Sequence, residues 1–145
     1  MTDAQTDAHI IEQVKKNIEA EPYAMFFGIK ILELTTGHSV VTMKAKKEYD
    51  NIFSITHGGA IFSLLDVAFG SAVNSYGTVA VALNVNINYI KPSTAGDVLI
   101  AEAIEETRSN RIASFSLSVK KSTGEIVATA QSIAYLKNEK LPFLV

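Results

Sequence analysis

Residues 57–76 read His57-Gly58-Gly59-Ala60-Ile61-Phe62-Ser63-Leu64-Leu65-Asp66-Val67-Ala68-Phe69-Gly70-Ser71-Ala72-Val73-Asn74-Ser75-Tyr76, and this stretch decides the fold. Its large apolar residues fall around most of a helical circumference. A helix that is apolar nearly all round is a buried one, so the rest of the chain is expected to wrap around it. One line differs: Gly59, Ser63, Asp66, Gly70 and Asn74 recur at helical steps and place small or polar groups along one side. At the start of the run Thr56 is a candidate N-cap, which would leave the Gly58 and Gly59 N–H groups among the unpaired donors of a helix N-terminus.

Upstream, Ile10, Ile11, Val14 and Ile18 recur at helical spacing, which predicts an amphipathic capping helix over about 7–21, followed by Pro22. Strand-like segments at 29–34 and 39–46 flank Thr35-Thr36-Gly37-His38, a hairpin turn. Downstream, Val79, Val81, Leu83, Val85, Ile87 and Tyr89 alternate with Ala80, Ala82, Asn84, Asn86 and Asn88, the period of a strand with one oily face. Pro92 and Gly96-Asp97 mark a turn, and 98–105, 112–120 and 126–136 give three further strands joined by short polar loops. The expected order is helix, two strands, helix, four strands: an α+β domain spanning 1–145, with an antiparallel sheet wrapped around a central helix at about 57–76.

Composition removes whole classes of function. At 145 residues and 48% apolar content the chain has enough apolar surface to fold as one domain. A net charge of -2 gives no electrostatic reason to expect nucleic acid as a partner. Without cysteine there is no disulfide framework, thiolate metal site or cysteine nucleophile. The polar, acidic residues 1–16 lack the basic and apolar regions of a signal peptide, so a cytoplasmic location is expected. The apolar run from Ala60 to Val73 is interrupted by Asp66 and is too short to span a bilayer.

Asp66 is the most informative single residue. A carboxylate flanked by Leu64, Leu65, Val67 and Ala68 is costly to bury without partners. Either it hydrogen-bonds to backbone or to Ser63 as a structural group, or it works as a general base or nucleophile in an apolar cleft. Gly58 and Gly59 let a carbonyl approach the backbone closely at a helix end that favours negative charge, an arrangement suited to an oxyanion; the bland alternative is a tight turn into the helix. His57, His9 and His38 show no metal-ligand spacing.

Taken together, Asn51, His57-Gly58-Gly59, Asp66 within an apolar helix, Asn86-Ile87-Asn88-Tyr89-Ile90-Lys91-Pro92 and Gly96-Asp97 resemble the hotdog-fold acyl-CoA thioesterases. The match is closest to their phenylacetate-degradation (PaaI-like) branch, which is related to the 4-hydroxybenzoyl-CoA thioesterases, and it covers about 22–136. The resemblance implies that Asp66 is the catalytic carboxylate, that the Gly58 N–H polarises the thioester carbonyl, that Asn51 orients substrate or water, and that His57 supports the carbonyl site. Some relatives carry a water-positioning serine where this chain has Ala82; Asn84 is the nearest substitute. Gly59, Ser63 and Leu83 join the candidate substrate-binding set. Lys91, Arg108 and Arg111 are candidates for the phosphates of coenzyme A, with ordinary surface charge as the alternative. No cofactor is expected beyond the coenzyme A of the substrate. A dehydratase or hydratase would want a histidine paired with a second acid, and no histidine follows Asp66; a non-catalytic acyl-CoA sensor has no need of Asp66.

Assembly follows from helix geometry. Gly58 and Asp66 stand eight residues apart, about 12 Å along one helix at 1.5 Å per residue. One thioester carbonyl does not reach both. A two-fold homodimer with antiparallel central helices would set Gly58 of one chain opposite Asp66 of the other. The resemblance implies the same dimer, often paired into a homotetramer.

Overall fold

A computed structural model of the chain describes residues 3–144. The first helix, α1, runs Asp3–Ala20, beginning earlier than the apolar stripe alone predicts. Asp3 in its first turn favours the positive end of the helix dipole, and no residue there breaks the helix. It buries Val14. It stops at Ala20 rather than Glu21, because a residue before proline is driven out of helical geometry: Glu21 sits at φ -66°, ψ 139°. Pro22 opens a second short helix, α2 (Pro22–Phe27), that periodicity did not reveal. Gly28, left-handed at φ 65°, terminates it.

The hairpin of β1 (Lys30–Thr35) and β2 (His38–Lys44) follows, then a 3₁₀ turn at Lys47–Tyr49 and the central helix α3 (Gly58–Asn74). Beyond it lie β3 (Thr78–Tyr89), β4 (Val98–Arg108), β5 (Ile112–Lys121) and β6 (Ile126–Lys140). All six strands form one antiparallel sheet in the order β1-β2-β4-β5-β6-β3. Because α3 crosses the sheet between β2 and β3, the chain rejoins it at the far edge, and β3 keeps one side of its backbone unpaired.

The sheet face beneath α3 is paved with Ala101, Ala103, Ala113, Ala128, Ala130 and Ala134, all buried. These small residues leave room for Leu64, Leu65 and Phe69 to sit close to the strands, and Phe69 meets Phe115 edge-on at 5.3 Å. Each large side chain so buried contributes about 1.5–3 kcal/mol. This is the helix-in-a-sheet arrangement of a hotdog fold.

Two expectations are corrected. The first concerns α3, which is not covered all round: Asp66 is exposed in the single chain because the sheet and α1 leave the Asp66 line open. The second concerns β3, where the apolar alternation does not lie on one face. A bulge between Ala82 and Asn84 inserts one extra residue, so Ala80 and Ala82 share a face with Val85, Ile87 and Tyr89. Val81 then stands opposite outward-facing Tyr135, and Leu83 is 59% exposed at the irregularity.

Candidate active site

The N-terminus of α3 is capped by His57, not Thr56. The His57 Nδ1 accepts the Gly59 N–H at 2.8 Å, which leaves the ring proton on Nε2. Thr56 is buried instead, receiving the Ser93 hydroxyl at 2.7 Å. Of the two glycine donors at this helix end, Gly59 is therefore occupied, whereas no acceptor among the described residues takes the Gly58 N–H. Tyr89 donates its hydroxyl to the Gly58 carbonyl at 3.1 Å, and a Cβ at position 58 would stand 3.2 Å from the Tyr89 ring. The absent side chain thus lets β3 close against the helix end.

Asn51 lies beside this donor. Its Oδ1 accepts Phe53 N–H at 2.9 Å and Ile55 N–H at 3.4 Å, which fixes the side chain in its loop. Its Nδ2 is left without an acceptor among the described residues. Asn51, Gly58, Ile61, Tyr89 and Lys91 line one recess of about 390 Å³. Lys91 also pairs with Glu125 at 3.4 Å.

His57 and Gly59 open instead onto a neighbouring recess of about 350 Å³, walled by Tyr23, Phe26, Phe27 and Tyr49. Asp50 contributes a buried Oδ1 there that has no hydrogen-bond partner among the described residues.

Asp66 belongs to a third recess, with Glu21, Tyr23, Gly70 and Asn74. No hydrogen bond or ion pair among the described residues holds its carboxylate. The structural reading through Ser63 fails, because Ser63 donates its own proton to the Gly59 carbonyl at 2.8 Å and accepts from Tyr23 at 2.8 Å. Although Asp66 is exposed in the single chain, the protein atoms crowding its carboxyl group withdraw enough water to raise its pKa above the ordinary aspartate value. Burial raises Glu21 as well, with the charge of Asp66 as the second cause.

One chain therefore brings Asn51, Gly58 and Lys91 together and keeps Asp66 apart from them. Ala82, Leu83 and Asn84 sit on the exposed edge strand β3. Within one chain, Arg108 and Arg111 do not line the recesses of Asn51, His57 or Asp66. Arg108 is engaged near the C-terminal end of α3, pairing with Glu105 at 3.0 Å and stacking 3.5 Å over the Tyr76 ring. Arg111 leans on the Leu136 and Lys137 carbonyls at 3.4 Å. Sequence reasoning missed Glu21, Tyr23 and Tyr89. The first two carried a signal in Pro22 and Gly28, which bracket a short helix; the reach of Tyr89 to Gly58 carried none. Among the described residues no cluster of three or more histidines and carboxylates is placed to hold a metal, and no helix is long and apolar enough to cross a membrane.

Residues 53–128 match the model of the thioesterase superfamily. The chain belongs to that superfamily, in its PaaI-like hotdog branch, and is a thioester hydrolase. It is 42% identical over 113 residues to a putative esterase of Archaeoglobus fulgidus, covering 78% of this chain and 73% of that protein. It is 41% identical over 85 residues to the acyl-coenzyme A thioesterase PaaI of Escherichia coli, covering 59% of this chain and 61% of the relative. The solved structure of that PaaI protein, from the phenylacetic acid degradation operon, superposes with a TM-score of 0.87 at 29% identity over 91% of this chain and 96% of its own. A hypothetical thioesterase of Streptococcus pneumoniae solved with coenzyme A gives a TM-score of 0.80 at 25% identity, covering 87% and 98% of the two chains.

Proposed function

We propose that the protein hydrolyses acyl-coenzyme A thioesters in a site built from two chains. The observation that carries this reading is the separation of two unengaged groups on one helix: the Gly58 N–H at its start, and the Asp66 carboxylate two turns on, in a different recess. Each group lacks its complement within its own chain. A two-fold partner supplies it, with β3 of each chain pairing along its free edge and the two α3 helices antiparallel. The exposed Leu83, Tyr89 and Ile90 on this side, and Ile52 at 91% exposure in the Asn51 loop, support such a covering surface. A further pairing of dimers into a tetramer is part of the reading.

In the assembled site the thioester oxygen accepts from Gly58 N–H, the positive end of α3 stabilises the charge that develops there, and Asn51 Nδ2 orients the substrate or the attacking water. Asp66 of the partner subunit either removes a proton from water as it adds to the carbonyl carbon, or attacks that carbon itself to form an anhydride that water then opens. In both routes the C–S bond breaks, the sulfur leaves as thiolate and takes up a proton, and the acid is released. The PaaI relative and the coenzyme A-bound neighbour support the choice of acyl-coenzyme A as substrate. In this reading Lys91, which lines the Gly58 recess, meets its phosphates. No metal or cofactor takes part, and a cytoplasmic setting goes with the reading.

The test is thiol release from aromatic, short-chain and long-chain acyl-coenzyme A substrates by wild type and by Asp66→Asn. The variant keeps the shape of the side chain but loses its basicity and nucleophilicity, so turnover falls by roughly 10²–10⁴ while substrate binding persists. Near-normal turnover in the variant would remove Asp66 from the mechanism.

A further inference from the structure

Among the described residues Lys91 is the one charged group lining the Gly58 recess, and it is already engaged. Its Nζ lies 3.4 Å from the Glu125 Oε1, the first link in a chain of alternating charge. The other Glu125 oxygen stands 3.6 Å from the Lys121 Nζ. Lys121 in turn lies 3.3 Å from the Asp97 Oδ2, which accepts the Thr94 N–H at 2.9 Å. The chain is anchored at one end and open at the other: Lys121 is 19% exposed, Lys91 57%.

The Lys91–Glu125 pair is not what fixes the backbone here. Ile90 and Lys91 donate their N–H groups to the Val127 carbonyl at 2.8 and 3.3 Å, and the Glu125 carbonyl closes its own hairpin by accepting the Lys121 N–H at 2.8 Å. β3 is paired with β6 as far as Tyr89 and Ala128. An ion pair this exposed adds little to stability, so what it controls is the position of the Lys91 ammonium.

We propose that Glu125 is a positioning residue that competes with substrate for Lys91, holding the ammonium at the Gly58 recess until a phosphate group of coenzyme A takes it over. The exchange strands no charge, because the phosphate gains Lys91 while Glu125 keeps Lys121, and Lys121 keeps Asp97. Coenzyme A is also a product. Once the C–S bond has broken, a carboxylate that reclaims Lys91 favours its departure.

This inference rests on the acyl-coenzyme A reading, and the experiment separates the two. Calorimetry gives Kd for coenzyme A and for pantetheine, which carries no phosphate, with wild type, Glu125→Gln, Lys91→Met and the double variant. Glu125→Gln frees Lys91 and tightens coenzyme A relative to pantetheine by about two- to five-fold. Lys91→Met weakens coenzyme A, and in that background the Glu125 change loses its effect, the mark of a residue that acts through another. Repulsion of phosphate by Glu125 alone would keep its full effect in the Lys91→Met background. A purely structural pair would lower the melting temperature of Glu125→Gln without moving the affinity. Either result overturns the inference, as does a wild type that binds coenzyme A no better than pantetheine. If the coupling is found but wild type hydrolyses no acyl-coenzyme A, the functional reading fails and the exchange stands; hydrolysis without the coupling is the reverse case.

Discussion

Asp66 shows what a crowded carboxylate without a partner among the described residues costs the fold that carries it. Its folded pKa is raised, so between the unfolded and folded values the native state binds more protons than the unfolded chain, and stability declines as pH rises through that window. Above the folded value the charged form is a standing penalty. Asp66→Asn is therefore expected to melt at an equal or higher temperature than wild type at neutral pH, with the difference vanishing below the unfolded aspartate pKa; a variant less stable at neutral pH would mean that the carboxylate is a structural group. The wild-type rate should fall as pH drops through the same raised value. Gly58 makes the complementary case. Alanine there keeps the N–H but puts a methyl group 3.2 Å from the Tyr89 ring, so the chain still folds, while turnover drops by about an order of magnitude or more as β3 is pushed from the helix end. Circular dichroism and a turnover assay check both halves. Asp66 and Gly58 were legible in sequence as a carboxylate among apolar residues and a glycine at a helix start. That only one of the two glycine amides is free was not legible, because it depends on the rotamer of His57.

At the level of elements, periodicity located α3 and every strand, since burial against one partner face imposes its period on the sequence. It failed where an element is too short or a period is interrupted. Six residues, Pro22–Phe27, hold too few turns to show a stripe, and only the proline and glycine at their ends announce α2. The β3 alternation reads as one oily strand because a bulge, invisible in a pattern of apolar and polar letters, exchanges its faces halfway along. Arg108 and Arg111 were singled out for phosphate on charge alone, a signal that carries no record of Glu105 and the Tyr76 ring beside Arg108 or of the two carbonyls beside Arg111. The α2 helix can be tested through its end. Gly28 is left-handed with open space around it, so Gly28→Ala meets backbone strain rather than a clash and should cost about 1–2 kcal/mol in denaturant unfolding. Because α2 carries Tyr23 and follows Glu21, a further loss of turnover beyond what that stability loss explains would tie this cap to the site.

The single chain leaves the outer edge of β3 unpaired, Gly59 and Asp66 exposed on its central helix, and the Gly58 amide and the Asp66 carboxylate in separate recesses. The proposed two-fold axis would account for all three, covering the edge and bringing each Gly58 to the Asp66 of the opposite chain. The most direct test of this shared site is subunit complementation. Chains carrying Asp66→Asn and chains carrying Gly58→Val, whose side chain fills the approach to the amide, are each inactive alone. Mixed in equal amounts and exchanged, with exchange verified by co-purification of differently tagged chains, half of the dimers contain one site free of both lesions. The mixture should then recover about one quarter of the wild-type rate. No recovery despite demonstrated exchange, or full activity in a monomer, would contradict a site built from two chains.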